Sequence, residues 1–144
     1  MDLNECPYPP SPIRSIDTLT NGIRNDTRLL ICVTPNNPTG MMLNEEKIRH
    51  VSENTPENVL LFMDQADHAF AIHAGGPNAL EILKGRKGPW VVNRTFSKAY
   101  ARAGVRLGYA IWCSTEMVNA LRLASVTFNL NGFAETAAVP VRKW

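Results

Sequence analysis

The sequence has few cysteines, little net charge and no long apolar run, and each shortage excludes a class of protein. Its 144 residues include three cysteines, an odd and widely spaced set that predicts neither a disulfide framework nor a metal site. A formal net charge of +2 provides no basic surface for nucleic acid or an acidic membrane. No apolar run approaches the roughly 20 residues that cross a bilayer. The start carries Asp2 and Glu5 where a signal peptide is basic, so we expect a cytoplasmic chain.

Apolar runs alternate with helical patterns along the chain, which predicts an α/β fold. Three runs begin at residues 28, 59 and 90, and this even spacing is typical of parallel strands joined by helices. The run 28–34 is almost continuously apolar, as expected of a strand buried on both faces. A fourth run, 107–112, follows so closely that it favours an antiparallel return. We therefore expect a mixed, mostly parallel sheet flanked by helices, with helices over 13–23, 44–54, 79–84, 114–123 and 133–139.

Polar residues follow the predicted strands where each one ends. Asn37, Asp64 and Lys98 each come after one of the three parallel strands, and Arg106 precedes the fourth. The carboxyl ends of parallel strands share one edge of a sheet, where open α/β folds bind ligands. The sequence therefore predicts that these four side chains converge.

The types of these residues suit pyridoxal phosphate. Lys98 offers an amine for the cofactor's aldehyde, and Asp64 offers a carboxylate for its ring nitrogen. Asn37 can donate through its amide to the phenolate oxygen. Guanidinium and hydroxyl groups suit the phosphate, and these belong to Arg106, Thr95 and Ser97. We expect Lys98 to be the catalytic residue, acting as nucleophile and then as general base and acid.

Each of these residues also has a purely structural interpretation. Lys98 and Arg106 are of types that are mostly exposed at protein surfaces. Residues 36–40 can form only a tight turn, and Asp64 can merely cap the segment after it. His68 and His73 lack common zinc-ligand spacing, so no metal is expected.

Four stretches resemble the signature blocks of fold-type-I pyridoxal-phosphate aminotransferases, and most closely those of the histidinol-phosphate aminotransferase branch. These are residues 34–40, 63–70, 94–100 with 103–109 and, at the start, 3–12. The resemblance implies transfer of an amino group between an amino acid, or an amino phosphate such as histidinol phosphate, and a 2-oxo acid. It also implies a homodimer, in which an arm over 1–12 reaches the partner's active site and Tyr8 contacts substrate.

The sequence departs from the family pattern in two ways. Asp67 stands where the family has a tyrosine that donates to the phenolate oxygen, and an ionised carboxylate can only accept. We expect His68 or a protonated Asp67 to substitute, or the Schiff base to have a raised pKa. The small-residue phosphate loop and the C-terminal small domain of the family also find no counterpart. Residues 13–144 therefore correspond to a partial large domain.

These departures leave two further functions open. A related pyridoxal-phosphate decarboxylase or lyase would use the same four residues, because the substrate pocket selects the reaction. A non-catalytic remnant would retain the sheet without binding the cofactor. A partial domain should also expose apolar faces, and we expect marginal solubility or association.

Overall fold

The computed structural model describes residues 16–127 and 129–138, which form one sheet with helices around it. The predicted arm and Tyr8 lie outside the described residues. The strands are β1 (Leu29–Val33), β2 (Leu60–Asp64), β3 (Trp90–Thr95) and β4 (Gly108–Trp112). The helices are α1 (Ile16–Asn21), α2 (Glu45–Asn54), α3 (His68–His73), α4 (Ala79–Leu83), α5 (Thr115–Ala124) and α6 (Gly132–Ala138), with a 3-10 turn at Ala103–Val105.

The sheet has the strand order β1-β2-β3-β4. The first three strands are parallel, and β4 returns antiparallel beside β3. The predicted mixed, mostly parallel α/β fold is therefore confirmed. A parallel connection needs a crossover, and the segments between β1, β2 and β3 contain α2, α3 and α4, whereas the β3–β4 connection contains only the 3-10 turn.

The helices start where local capping signals stand in the sequence. Asn44 accepts a hydrogen bond from the backbone N of Lys47 at 2.9 Å and so caps α2. Glu45 and Glu46 lie in the first turn of that helix, where the helix dipole favours negative charge. Ser114 caps α5 in the same way. The predictions for α2 and α5 are confirmed within a residue at each end, whereas α3 was not predicted.

The core lies between one face of the sheet and the helices α1, α2 and α4. Side chains alternate between the two faces of a strand, and every second residue of β1 and β2 is buried. The core is formed by Leu30, Cys32, Leu61, Met63, Trp90 and Val92 from the sheet and by Ile48, Val51, Ala79 and Leu83 from the helices. Burial raises the pKa of the Cys32 thiol to about 11, as expected of an inert core residue.

The opposite face of β1 is open, so the prediction that this strand is buried on both faces is wrong. Leu29, Ile31 and Val33 are 46%, 55% and 39% exposed. The core-forming helices pack against the other face, and no described element covers these three side chains. On α5, Leu123 is also almost fully exposed. The expectation of exposed apolar faces is therefore confirmed.

Arg86 lies in the connection between α4 and β3, and its side chain is hydrogen-bonded to the connection between α2 and β2. Its two terminal nitrogens donate four hydrogen bonds, to the carbonyl oxygens of Ser52, Thr55, Pro56 and Val59 at 2.6, 2.7, 2.9 and 3.1 Å. The guanidinium passes beside Gly88, where an added Cβ would lie 2.6 Å from Arg86 Nη2 and 2.8 Å from the Cα of Glu57. Glycine at position 88 therefore makes this close approach possible.

No helix of the described residues has the length and apolar character needed to cross a membrane.

Candidate functional site

The carboxyl ends of the three parallel strands meet at one edge of the sheet. β1 ends beside β2 at the pair Val33 and Asp64, and β2 pairs with β3 at Asp64 and Asn93. β3 ends at Thr95, which pairs with Gly108 at the start of β4. The segments that carry the predicted site residues therefore all leave or enter the sheet at this edge.

Asn37 lies in the tight turn that follows β1. The backbone of Gly40 donates to the carbonyl of Asn36 at 2.7 Å, and Gly40 has φ 68, a left-handed conformation that favours glycine. Within the described residues, the exposed side chain of Asn37 has no hydrogen-bond partner. It lines a groove of about 400 Å³ with Asp67 and Phe70 from the segment around the start of α3. Residues 36–40 therefore form the tight turn that the sequence predicts. The side-chain amide of Asn37 remains available to bind a ligand.

Asp64 is the last residue of β2 and is half-buried. Its Oδ1 accepts from the backbone N of Ala66 at 3.1 Å, so the capping interpretation holds for that oxygen. Oδ2 has no hydrogen-bond partner among the described residues. Strand alternation and the pairing register place Asp64, Asn93 and Thr95 on the same face of the sheet. Asn93 is therefore a candidate that sequence reasoning missed, although its spacing of two from Thr95 already indicated a shared face.

The lysine loop, residues 96–102, turns sharply after β3. The hydroxyl of Thr95 donates to the carbonyl of Leu107 at 3.2 Å, accepts from the backbone N of Ser97 at 3.1 Å and lies 3.0 Å from the Ser97 hydroxyl. The backbone N of Ala101 donates to the carbonyl of Lys98 at 2.8 Å, which closes the turn. Lys98 itself is exposed, and its amine has no partner among the described residues.

Aromatic rings and one arginine support the lysine loop. The ring of Phe96 lies 5.5 Å from that of Tyr100 and 5.4 Å from that of Tyr109, centroid to centroid, in tilted pairs. Arg102 donates to the carbonyl of Tyr100 and, 35 residues away, to the carbonyl of Ala137 in α6. The loop is thus held between β4 and α6.

The backbone of Arg106 lies at the predicted edge of the sheet, but its side chain does not point toward the other predicted phosphate-binding residues. It lies two residues before β4 with φ 59, in the left-handed region. Its Nη1 donates to the carbonyl of Ala103, in its own turn, at 3.0 Å. Within the described residues, no hydrogen bond joins its guanidinium to Thr95 or Ser97. The predicted phosphate clamp is therefore assembled only in part.

His68 and Asp67 are adjacent in sequence but face different surroundings. Asp67 lines the groove that contains Asn37, whereas His68 lines a small cavity with Gln65 and Arg94. Burial, with the positive charge of Arg94 as the second cause, lowers the pKa of His68 to about 4, so its imidazole is neutral at pH 7. Gln65 accepts two hydrogen bonds from Arg94, at 3.0 and 3.3 Å. Of the two expected substitutes for the family tyrosine, only Asp67 lies near Asn37.

The functional groups at this edge of the sheet are of the types that bind pyridoxal phosphate. A free amine, an unused carboxylate oxygen and a free amide are the partners that its aldehyde, ring nitrogen and phenolate oxygen need. Hydroxyl groups at the end of β3 and the guanidinium of Arg106 are suited to phosphate. In residues 16–127 and 129–138, no cluster of three histidine, cysteine or acidic residues is arranged to hold a metal.

Residues 10–141 match the protein family described as aminotransferase class I and II. The chain is 37% identical over 124 residues to histidinol-phosphate aminotransferase 2 of Legionella pneumophila (strain Paris), a match covering 86% of this chain and 33% of the relative. It is 33% identical over 135 residues to the aromatic amino acid aminotransferase of Streptomyces coelicolor, covering 94% of this chain and 37% of the relative. The chain thus spans about a third of the length of these curated relatives.

The fold matches a solved structure over a similar part of its length. The histidinol-phosphate aminotransferase from Sinorhizobium meliloti, crystallised in complex with pyridoxal-5'-phosphate, superposes with a TM-score of 0.75 at 27% identity. The match covers 87% of this chain and 33% of that structure.

Proposed function

The chain belongs to the class I and II aminotransferase family, and we propose that it carries the cofactor-binding core of a pyridoxal-phosphate-dependent transaminase. One observation carries this proposal. The register of the sheet places Asp64 and Thr95 on the same face at the same edge, with the free amine of Lys98 three residues beyond Thr95. A carboxylate and an amine so placed suit the two ends of one pyridine aldehyde.

Each residue has a defined role in this site. When bound, pyridoxal phosphate supplies an aldehyde and a protonated ring that acts as an electron sink. Asp64 keeps the ring nitrogen protonated through Oδ2, the oxygen that does not accept from the backbone N of Ala66. Lys98 would hold the aldehyde through its amine and would act as the base and acid that moves a proton at the substrate Cα. Asn37 donates its amide to the phenolate oxygen. Thr95, Ser97 and Arg106 hold the phosphate.

The names of the curated relatives suggest the class of amino donor. They are described as acting on histidinol phosphate and on aromatic amino acids, so we propose donors with a planar ring and a 2-oxo acid as acceptor. The groove beside Asn37 is lined by Phe70, a ring that can pack against a planar substrate. By resemblance to the family, Tyr8 contacts the substrate across a homodimer interface. Transamination is proposed ahead of decarboxylation because both relatives are named as aminotransferases.

A non-catalytic remnant is the second candidate, and two observations favour it. The guanidinium of Arg106 bonds to Ala103 in its own turn, which leaves the phosphate clamp partial. Asp67 places a carboxylate in the groove that Asn37 lines, where a phenolate oxygen would be repelled. Such a protein would keep the sheet and lose affinity for the cofactor.

An absorbance titration separates the two candidates. Pyridoxal phosphate added to the purified chain should produce a visible band that Lys98→Ala abolishes. Lys87→Ala is the matched control, because Lys87 is an exposed lysine just before the start of β3, at the opposite end of that strand, and this variant should retain the band. Borohydride reduction followed by peptide mapping should then place the label on Lys98.

The same titration defines failure and extends to substrates. A band that is absent, or equally strong in both variants, would refute a cofactor site at Lys98. If the Lys98-dependent band forms, its decay on adding histidinol phosphate or phenylalanine identifies the preferred donor.

A further inference from the structure

The groove that Asn37 lines has the turn after β1 as one wall and α3 as the other. Its volume is about 400 Å³. The backbone N of Asn36 donates to the carbonyl of Met41 at 2.8 Å, which holds the turn in place. Met42 packs against the segment after α3, where an added Cβ at Gly76 would clash with its Sδ. Both walls are therefore fixed by contacts that do not depend on a ligand.

Asp67 places an unpaired carboxylate in this groove. It is half-buried at the start of α3, and its side chain accepts no hydrogen bond from the first turn of that helix. Within residues 16–127 and 129–138, no arginine, lysine or histidine forms an ion pair with it. The described lining of the groove contains no basic residue. A carboxylate that is partly removed from water is stabilised by a nearby positive charge.

Phe70 places an aromatic ring beside that carboxylate. It follows Asp67 by three residues, so the two side chains lie on the same side of α3. The ring is 54% exposed and also lines the groove. The remaining side chains of the lining are apolar or carry neutral amides. A planar cation can stack on the ring while it pairs with the carboxylate.

We propose that this groove selects amino donors whose side chain ends in a planar cation, such as an amidinium or a guanidinium. The inference rests on the proposed function, in which Asn37 binds the cofactor, because Asn37 also lines the groove. The cation donates to the carboxylate of Asp67 and lies against the ring of Phe70. Substrate binding thereby gives Asp67 the partner that it lacks among the described residues.

Other classes of ligand suit the groove less well. An anionic group would be repelled by Asp67, and a neutral apolar group would leave its carboxylate half-buried and unpaired. A divalent metal needs several oxygen ligands, and the part of the chain that the structure describes arranges no three histidine, cysteine or acidic residues to hold one. His68 lines a different cavity, beside Arg94. A planar organic cation is the class that uses both the carboxylate and the ring.

Binding of benzamidine to the chain without cofactor tests the groove directly. Benzamidine is a cation at neutral pH, and benzamide is a neutral molecule of nearly the same shape. We expect the wild type to bind benzamidine about tenfold more tightly, as measured by titration of the backbone amide signals in two-dimensional NMR spectra. The largest changes should occur at Ala71 and Ala74, in the wall formed by α3.

Two matched variants separate charge from shape. Asp67→Asn keeps the size of the side chain and removes its charge, so benzamidine and benzamide should then bind about equally. Asp26→Asn is the control, because Asp26 is an exposed carboxylate paired with Arg24 outside the groove lining, and this variant should keep the preference. The same NMR spectra check that each variant is folded.

Half-reactions extend the test to the chain loaded with pyridoxal phosphate. The donors are 4-amidinophenylalanine and its neutral analogue 4-carbamoylphenylalanine, and the measurement is the rate at which each removes the Lys98-dependent visible band. We expect the cationic donor to react about tenfold faster at low concentration, and Asp67→Asn to remove this difference. The ratio of the two rates cancels any direct effect of Asp67 on the cofactor.

The outcomes for the groove and for the cofactor site are distinguishable. Equal binding of benzamidine and benzamide, or a preference that Asp67→Asn retains, would overturn the selection of cations, while a Lys98-dependent band would leave the proposed function standing. Equal rates with the two donors would overturn the role of the groove in donor selection. A cation preference that depends on Asp67, in a chain that forms no Lys98-dependent band, would refute the proposed function and donor selection together.

Discussion

Replacing Arg86 should destabilise the fold more than any ordinary surface change. Hydrogen bonds from a charged donor contribute roughly 1.5–3 kcal/mol each, so the four from Arg86 would contribute about 6 kcal/mol if each were worth the lower figure and all were additive. Water can reach part of this site and would rehydrate some of the freed carbonyl groups. We therefore expect Arg86→Ala to lower the free energy of unfolding by about 3 kcal/mol.

Two further variants separate the guanidinium fork from its charge. Arg86→Lys keeps a positive charge, but its ammonium group cannot reach four carbonyls at once, so we expect a loss of about 2 kcal/mol. Arg49→Ala is the control, because Arg49 makes one exposed ion pair with Glu45, and its removal should cost less than about 0.5 kcal/mol.

Urea unfolding followed by far-UV circular dichroism measures these differences. The midpoint should fall for Arg86→Ala with little change in the slope, and the melting temperature should fall by roughly 10 °C. An Arg86→Ala variant as stable as Arg49→Ala would refute the view that this side chain fastens the α2–β2 connection.

Three other predictions concern single positions. His68 has a pKa of about 4 in the folded chain and 6.5 when free. As the pH falls from 6.5 to 4, the unfolded state therefore binds a proton that the folded state does not. The free energy of unfolding should fall by about 1–2 kcal/mol over this range. His68→Gln should flatten this dependence in urea melts at several pH values, and the exposed His73→Gln should leave it unchanged. Gly88→Ala should cost about 2 kcal/mol because its Cβ meets the backbone of the α2–β2 connection, whereas Gly104→Ala, with open space, should cost under about 1 kcal/mol by the same melts. With pyridoxal phosphate bound, Asp67→Tyr should lower the midpoint pH at which the visible band changes, since a phenol donates where a carboxylate repels; an unchanged or raised midpoint would contradict the proposed site.

The sequence predicted much of the fold because its signals are local. An apolar run, a capping residue such as Asn44 and a breaking turn such as residues 35–40 act within a few positions of each other. They located the four strands and two of the longer helices. The short α3 was missed because six residues carry too little periodicity to be recognised.

The candidate site was predictable in its placement but not in its contacts. Parallel pairing brings Asn37, Asp64 and Lys98 to one edge from strand order alone. The direction of a side chain depends on which hydrogen-bond acceptor is nearer. The guanidinium of Arg106 donates to the carbonyl of Ala103. Sequence spacing does not show that competition.

The sequence by itself determined the positions of the strands and the order in which polar groups meet the sheet edge, since both follow from interactions between near neighbours in the chain. Tertiary structure alone decided which face of β1 is covered, that Arg86 bonds to carbonyls 27 to 34 residues away, and that His68 is buried beside Arg94. These outcomes depend on how the helices and strands pack together. An apolar residue such as Ile31 has the same sequence pattern whether a helix, a second chain or solvent lies above it.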